Sequence, residues 1–402
     1  MNRAFSASLV ILLAALFAAP SAWAQKVLSS SDSSLYEGLV KGNNTFAVQL
    51  YGGLATKPGN LFFSPYSIST ALGMTYAGAR GTTAKEMKKA LHFEFDQSRL
   101  NAAFRGLNRE LTAAVGRSGQ KLNIANGLCL TRGNVNNEYK TLLRKYYDAE
   151  VFSGGLNRIN GWVKQKTEGK IRRILTELNP NSVCVILNAI YFKGIWKSRF
   201  SKKSTREAPF IISSTKQVTV PLMYQRDNFK MLIEKDFRAV SIPYTGDGLS
   251  MVVLLPDKTS SLGGLEKQLT PENLGKWLSE LDKQHVREID LYLPKFTLET
   301  GYNLKPLCME LGMRNAFTRN ADFSGMQGRK GDIWISQIQH KAFVKVNEQG
   351  TEAAGTTAVE IVTKAMPYYP EFRADRPFIF LIQDNRTGMI LFMGRMADPR
   401  AK

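Results

Sequence analysis

Apolar and polar residues are patterned in two ways along this chain, and the change falls near residue 180. Before it, helix signals dominate. Ser64-Pro65 reads as an N-cap followed by proline at the first helical position, and Thr83-Ala84-Lys85-Glu86 reads as a capping box. Signals of this kind predict helices near 34–53, 64–79, 83–91, 98–114 and 137–146. After residue 180 the runs shorten. Val185 to Phe192 and Met251 to Leu255 are short apolar runs of the kind that fill a sheet buried on both faces. Ile289, Leu291 and Leu293 alternate with Asp290 and Tyr292, the period of a half-buried strand. Phe378 to Gln383, a turn over Asp384-Asn385-Arg386-Thr387-Gly388, and Met389 to Phe392 read as a hairpin. The class is mixed α/β, helices first and sheets later.

Residues 348–370 fit neither pattern. They lie between strand-like stretches, carry no helical stripe, and exceed the ~12–15 residues of an ordinary connection, a length that usually marks function or disorder. Their interior nonetheless alternates. Thr351, Ala353, Gly355, Thr357, Val359 and Ile361 are small or apolar, whereas Glu352, Thr356 and Glu360 occupy the other face. A loop with strand periodicity could exist in both forms.

Composition narrows the function. The 402 residues are 44% hydrophobic and 22% charged, enough apolar surface for a large core. The net charge of +20 is spread along the chain and suggests an acidic ligand surface. Three His and three Cys, scattered, argue against most metal sites and against a disulfide scaffold. Residues 1–24 read as a secretory leader: Arg3 is the positive start, Leu9 to Ala19 the apolar run, and Ala22-Trp23-Ala24 the cleavage site. A soluble, secreted product beginning at Gln25 is expected, with residues 25–402 as one interleaved domain. Cys129, Cys184 and Cys308 read as small buried apolar residues. Asn43 and Asn385 head glycosylation sequons, Asn385 in the evident turn being the better candidate.

Lys345-Val346-Asn347-Glu348-Gln349-Gly350-Thr351-Glu352-Ala353-Ala354 resembles the hinge of the serpins, inhibitors that trap serine proteases by loop insertion. Asn60 to Ile68, Leu187 to Trp196, and Asp375-Arg376-Pro377-Phe378-Ile379-Phe380 with Phe392-Met393-Gly394-Arg395 resemble three further serpin signatures, in order, and the resemblance covers nearly all of the chain after the leader. It implies a mixed α/β serpin fold of three β-sheets and about nine helices, with residues 348–370 exposed as bait. A target protease cleaves the bait, is held as an acyl-enzyme through its own serine, and is carried across the molecule as the cut loop enters the main sheet. The chain supplies no catalytic group and is not an enzyme.

The same resemblance assigns roles. Insertion needs small uncharged side chains on the inward face of the hinge, and Thr351, Ala353, Gly355 and Thr357 meet that need beside Glu348, Gly350, Glu352, Ala354 and Thr356. In serpins the scissile bond usually lies sixteen residues beyond the first hinge glutamate. From Glu348 that falls on Lys364, the only basic residue between Thr351 and Phe372. Cleavage of Lys364–Ala365 implies a trypsin-like target, whose pocket carboxylate pairs with the ammonium. Cleavage at Val362 or Met366 is the alternative, with elastase-like or chymotrypsin-like targets, and a non-inhibitory carrier or storage serpin is the alternative to an inhibitor. Ser64, Ser67, Asn188 and His340 match a polar shutter beneath the opening sheet, and Trp196, Lys295 and Glu348 match the point where the loop first enters.

Other chemistries find little support. No G-x-S-x-G elbow accompanies His92 or His285, and the paired glycines lack phosphate-loop spacing. No cofactor or metal is expected, and the partners are trypsin-like proteases rather than nucleic acid or membrane, met by a monomer. Lys164, Lys166, Lys170, Arg172 and Arg173 cluster around Glu168 and suggest a heparin-like glycosaminoglycan as modulator.

Overall fold

The Ser64-Pro65 signal starts a helix in the interior of the molecule. The computed structural model of the chain describes residues 30–117, 119–258, 261–350 and 369–401. The expectations that fall on residues 1–24 and 351–368 lie outside these. Nine α-helices form among the described residues: α1 (Ser30–Leu54), α2 (Pro65–Ala77), α3 (Gly81–Ala90), α4 (Gln97–Arg117), α5 (Asn137–Tyr147), α6 (Leu156–Lys166), α7 (Leu262–Gln268), α8 (Pro271–Lys283) and α9 (Lys305–Glu310). The first five lie where the sequence places them. In α2 every residue is buried, and the Ser64 side chain accepts from the Ser67 N–H. Such a helix must hide its polar groups, and it does so with short ones: the Thr70 and Thr75 hydroxyls donate back to the carbonyls of Tyr66 and Ala71.

Two sheets enclose this helix. The five-stranded sheet runs in the order β10 (Phe296–Asn303), β11 (Ile335–Val346), β4 (Cys184–Lys193), β2 (Lys121–Leu130) and β3 (Glu150–Ser153). The larger begins with β1 (Leu61–Phe63), β14 (Ile390–Met396), β13 (Phe378–Asp384), β8 (Leu249–Pro256) and β7 (Phe237–Pro243). It continues through β6 (Lys216–Ile233) to β9 (Arg287–Pro294) and β12 (Glu371–Arg373), with β5 (Arg206–Ser213) also on β6. The long strand β6 divides it: residues 230–233 pair with β7, whereas 216–229 pair with β5 and β9. The three sheets implied by the resemblance are thus present, two of them continuous through one strand. β4, β8, β13 and β14 are the apolar runs of the sequence, buried almost throughout.

Three expectations are corrected. The helical first part also supplies β2 and β3 to the five-stranded sheet, and α7 to α9 are interleaved with the later strands. The Thr83–Glu86 capping box does not form, because α3 begins at Gly81 with no side-chain cap. Thr83 Oγ1 accepts from the Asp322 N–H, and the Glu86 carboxylate accepts from the N–H groups of Arg314 and Asn315 and from the Asn315 side chain. A long-range loop claims both side chains. Asn43 is 1% exposed and its Nδ2 donates to the Ile390 carbonyl, so the fold leaves no room for a glycan there.

The cysteines behave as small apolar residues. All three are buried and unbridged, and burial pushes the Cys129 thiol up to about 11 and those of Cys184 and Cys308 to about 12. Glu86→Ala is expected to cost about 1 kcal/mol in chemical denaturation, since it removes the acceptor of the exposed Arg314 N–H and the part-buried Asn315 N–H. Hydrogen exchange should quicken at the amides of Arg314 and Asn315 while the N-terminal amides of α3 stay as they were; quickening confined to α3 would restore the capping box.

Candidate functional site

The five-stranded sheet is mixed: β10–β11 and β4–β2 are antiparallel, whereas the edge pair β2–β3 and the inner pair β4–β11 are parallel. β11 alternates strictly, sending Ile338, His340, Ala342, Val344 and Val346 inward and Gln339, Lys341, Phe343 and Lys345 outward. Its register sets His340 directly opposite Asn188 of β4. Both side chains point onto the start of α2, and Ser64 and Ser67 meet them there.

The four residues that the sequence groups as a shutter therefore form one buried network. The Ser64 N–H donates to His340 Nε2 at 3.1 Å, and His340 Nδ1 lies 2.5 Å from Asn188 Oδ1. Since Nε2 accepts, the proton sits on Nδ1, which donates to Asn188. Asn188 Nδ2 then donates to the Ser67 carbonyl at 3.0 Å, the Ser67 hydroxyl at 2.5 Å and Asn126 Oδ1 at 2.8 Å. Asn126, on β2, is the member that the sequence reading missed. It carries no local signal, and only the β2–β4 register, which pairs it with Asn188, brings it in. Burial lowers the His340 pKa to about 3, so the ring is a neutral cross-strand bridge and not a base.

At the end of the same seam the chain leaves β11 and turns. The Asn347 N–H donates to the Gly350 carbonyl and the Gly350 N–H to the Asn347 carbonyl, closing a tight turn. Gly350 has φ +126°, and a Cβ there would lie 2.5 Å from the Gly194 carbonyl and 2.7 Å from the Ile195 backbone, so this position needs glycine. Beyond the turn Gly350 pairs antiparallel with Ile195, just past the end of β4, while the Trp196 and Phe200 N–H groups donate to the carbonyls of Gln349 and Glu348. Trp196 is stacked on Tyr244 at 4.5 Å and donates through Nε1 to the Asn347 carbonyl.

Glu348 is 4% exposed, and its Oε1 accepts from Lys295 Nζ and from the Thr205 hydroxyl, each at 3.0 Å. Burial pulls its pKa up, but the bonds from its own N–H, Lys295 and Thr205 outweigh that and hold it below the usual carboxylate range. Trp196, Lys295, Glu348 and Gly350 thus meet at one point, and Thr205 joins them unpredicted. The remaining hinge residues, Thr351, Glu352, Ala353, Ala354, Gly355, Thr356 and Thr357, and the expected reactive bond Lys364–Ala365 lie outside the described residues.

The basic cluster is less uniform than its sequence spacing suggests. Lys166 pairs with Glu150, and Lys170 sits 5.6 Å from the Tyr191 ring centroid, whereas Lys164, Arg172 and Arg173 are exposed. Glu168, in their midst, pairs with Lys121 at 3.0 Å. Asn385 is exposed in its turn, with Nδ2 donating to the Asp247 carbonyl and the Ser250 hydroxyl.

The His340 network sets a pH dependence. Unfolded, the ring takes up a proton near pH 6.5; folded, it resists one down to about 3, so stability is lost as pH falls below 6.5. Between pH 6.5 and 5 this one group should remove about 2 kcal/mol. Urea unfolding of His340→Gln, which cannot titrate, should show a correspondingly flatter profile in that window; an identical slope would mean that His340 is already charged in the fold.

The serpin (serine protease inhibitor) family model matches residues 41–399. The leukocyte elastase inhibitor of Equus caballus is 38% identical over 385 residues, covering 90% of this chain and 100% of that protein. Serpin B6 of Macaca fascicularis is 36% identical over 378 residues, covering 90% and 99%. Among solved structures, human thyroxine-binding globulin superposes with a TM-score of 0.82 at 28% identity, covering 91% of this chain and 99% of that one. The native thermophilic serpin tengpin also gives 0.82, at 29% identity, covering 90% and 94%. These relatives correct one expectation. Leukocyte elastase inhibitors and serpin B6, matched along essentially their whole length by nine tenths of this chain, point away from secretion. The extracellular location read from residues 1–24 is overturned. With the family model spanning most of its length and relatives above one third identical, the chain belongs to the serpins, a family of protease inhibitors.

Proposed function

We propose that this serpin inhibits trypsin-like serine proteases as a consumed substrate, with Lys364–Ala365 as the reactive bond. The observation that supports the reading most is the geometry at the top of the seam. Because β4 and β11 are parallel, a strand that returns from β11 through the turn at 347–350 is antiparallel to both. Gly350 already makes the first such pairing, with Ile195. A strand continuing from it between β4 and β11 would exchange one parallel interface for two antiparallel ones and bury its alternate residues, which are the small Thr351, Ala353, Gly355 and Thr357.

In this mechanism the protease serine adds to the Lys364 carbonyl, the bond to Ala365 breaks, and the new amine leaves with the C-terminal side. The acyl ester then travels with residues 351–364 as they enter the seam. For that strand to pass, the His340–Asn188 bond must open, and Glu348 must give up Lys295 and Thr205 or swing with them. The shutter and the Glu348 cluster act in this reading as gates on insertion rather than as sources of net stability. Lys164, Arg172 and Arg173 are the residues that would hold a polyanion as modulator.

A second reading keeps the mechanism and moves the bond. The relatives named as leukocyte elastase inhibitors favour an elastase-like target, and Val362 or Met366 would then fill the pocket. Mixing the protein with trypsin should give a covalent complex that survives boiling in detergent, with Ala365 as the new N-terminus. Lys364→Ala should trap trypsin at least about a hundredfold more slowly, yet keep or gain elastase-like targets. If it traps trypsin as fast as the parent, the bond lies elsewhere. Thr351→Arg should be cleaved at the same bond without forming the complex, because a guanidinium cannot be buried under the sheet unpaired. Cleavage of the parent without any complex would identify a carrier or storage serpin.

A further inference from the structure

Where β6, β9 and β12 pair, the larger sheet has one buried face and one open face; toward β5 that open side closes over, with Ala208, Phe210, Val218 and Val220 buried. Met223, Gln225, Leu291 and Phe372 point into the core. On the open face the register aligns Tyr224, Tyr292 and Arg373 across three strands. The two rings lie 4.8 Å apart, and the Arg373 guanidinium sits 4.4 Å over the Tyr292 ring. In the next row toward β5 lies Arg206, opposite Leu222; in the row on the other side lies Arg226, opposite Asp290. A hollow of about 320 Å³ opens between Arg206, Tyr224, Tyr292 and Arg373.

Charge on this face is mixed, with Glu288, Asp290 and Glu371 among the guanidiniums, and the cations that meet no carboxylate among the described residues lie at its rim. Asp290 is taken up by Arg226, at 2.8 and 3.0 Å, and by the Tyr224 hydroxyl at 2.7 Å. Arg373 shares Asp375 with Arg376. Arg206 donates to the carbonyls of Lys203 and Thr205, and neither it nor the exposed Lys202 and Lys203 meets a carboxylate among the described residues. Guanidiniums held by carbonyls and tyrosine rings keep their planar forks presented, which suits carboxylates.

The face is also continuous with the reactive segment. The chain re-enters the described structure at Tyr369, whose ring lies 4.0 Å beneath the Arg226 guanidinium, and the Pro370 carbonyl accepts from the Asp290 N–H at 3.0 Å. Tyr369 follows Lys364 by five residues in sequence, a contour of at most roughly 18 Å. A protease domain is about 40 Å across, and one seated on Lys364–Ala365 comes within reach of the face.

We propose that this face, with Lys202, Lys203 and Arg206 at its rim, is a second contact for the target protease and receives an acidic surface segment of that enzyme. The inference rests on the reading of the reactive segment given above and adds where the rest of the enzyme docks. It assigns these residues to encounter and selectivity, since charges near a binding surface act chiefly on the association rate.

The test uses the full chain, the triple variant Lys202→Glu/Lys203→Glu/Arg206→Glu, and as control Lys85→Glu/Lys88→Glu/Lys89→Glu, which changes the same charge on α3. With an anionic trypsin at low salt, the rim variant should form covalent complex about tenfold more slowly than parent and control, the deficit shrinking as salt is raised. With a cationic trypsin the loss should be under about twofold. The number of inhibitor molecules consumed per protease trapped should not change, because the hinge is untouched. Labelled octaglutamate should bind the parent and the control but bind the rim variant at least tenfold more weakly. Equal rates for rim variant and parent with both trypsins overturn the proposal, as does equal slowing in the control. A changed consumption ratio also overturns it, by moving the effect to the hinge through Thr205. Loss of retention on immobilised heparin with unchanged trapping would mark a polysaccharide site and overturn it too. A parent that traps neither trypsin fails the reading of the reactive segment, an outcome separate from equal rates.

Discussion

The parallel pairing of β4 with β11 is the constraint around which this molecule is organised. A parallel pair inside a sheet is a place where a strand running the other way can be accommodated on both sides. Everything adjacent to that seam bears on whether it stays closed. On the inner face the His340–Asn188 bond spans it directly and is tied to the first turn of α2 through Ser64 and Ser67. At its end Gly350 has already crossed to Ile195, so the turn after β11 is poised where a new strand would begin.

The seam network also explains why α2 is built as it is. A helix wholly inside the molecule would ordinarily be apolar, yet this one opens with Ser64, Ser67, Ser69 and Thr70. Ser64 does three things at once: its side chain caps the helix, its N–H donates to His340, and its hydroxyl donates to the Leu391 carbonyl of β14. The helix start, the seam and the sheet on the far side of the core are therefore coupled through one small residue. A buried polar network of this kind is costly when half satisfied, which gives the closed seam a definite geometry rather than a range of them.

Charge is deployed on the opposite principle. The buried carboxylate Glu348 is held by a lysine and a hydroxyl, whereas much of the positive excess stays on exposed residues such as Lys202, Lys203, Arg206, Arg172 and Arg173. Buried charge is satisfied locally and fixes position; exposed charge is screened, contributes little to the fold and acts at a distance on approaching molecules. That division separates residues placed by the fold from residues presented to solvent.

Local sequence was sufficient for elements whose signals are short-range. The Ser64-Pro65 cap, the five early helices, the apolar runs of β4 and β8 and the C-terminal hairpin follow from residues within a few positions of one another, because helix capping and strand burial are set by near neighbours. The seam residues Ser64, Ser67, Asn188 and His340, and Trp196, Lys295 and Glu348 at its end, were grouped through the resemblance to the serpin signatures. Tertiary structure alone decided the rest. Thr83 and Glu86 have the spacing of a capping box, but a loop more than two hundred residues away offers unsatisfied N–H groups, and the long-range bonds win. Asn43 satisfies a sequon yet packs against Ile390, and Asn126 and Thr205 join their clusters only because β2 is in register with β4 and the start of β5 lies beside the turn after β11. A side chain's partner is set by which strands pair and in what register, and that depends on burying the whole chain's apolar surface at once, a global condition that no window of sequence contains.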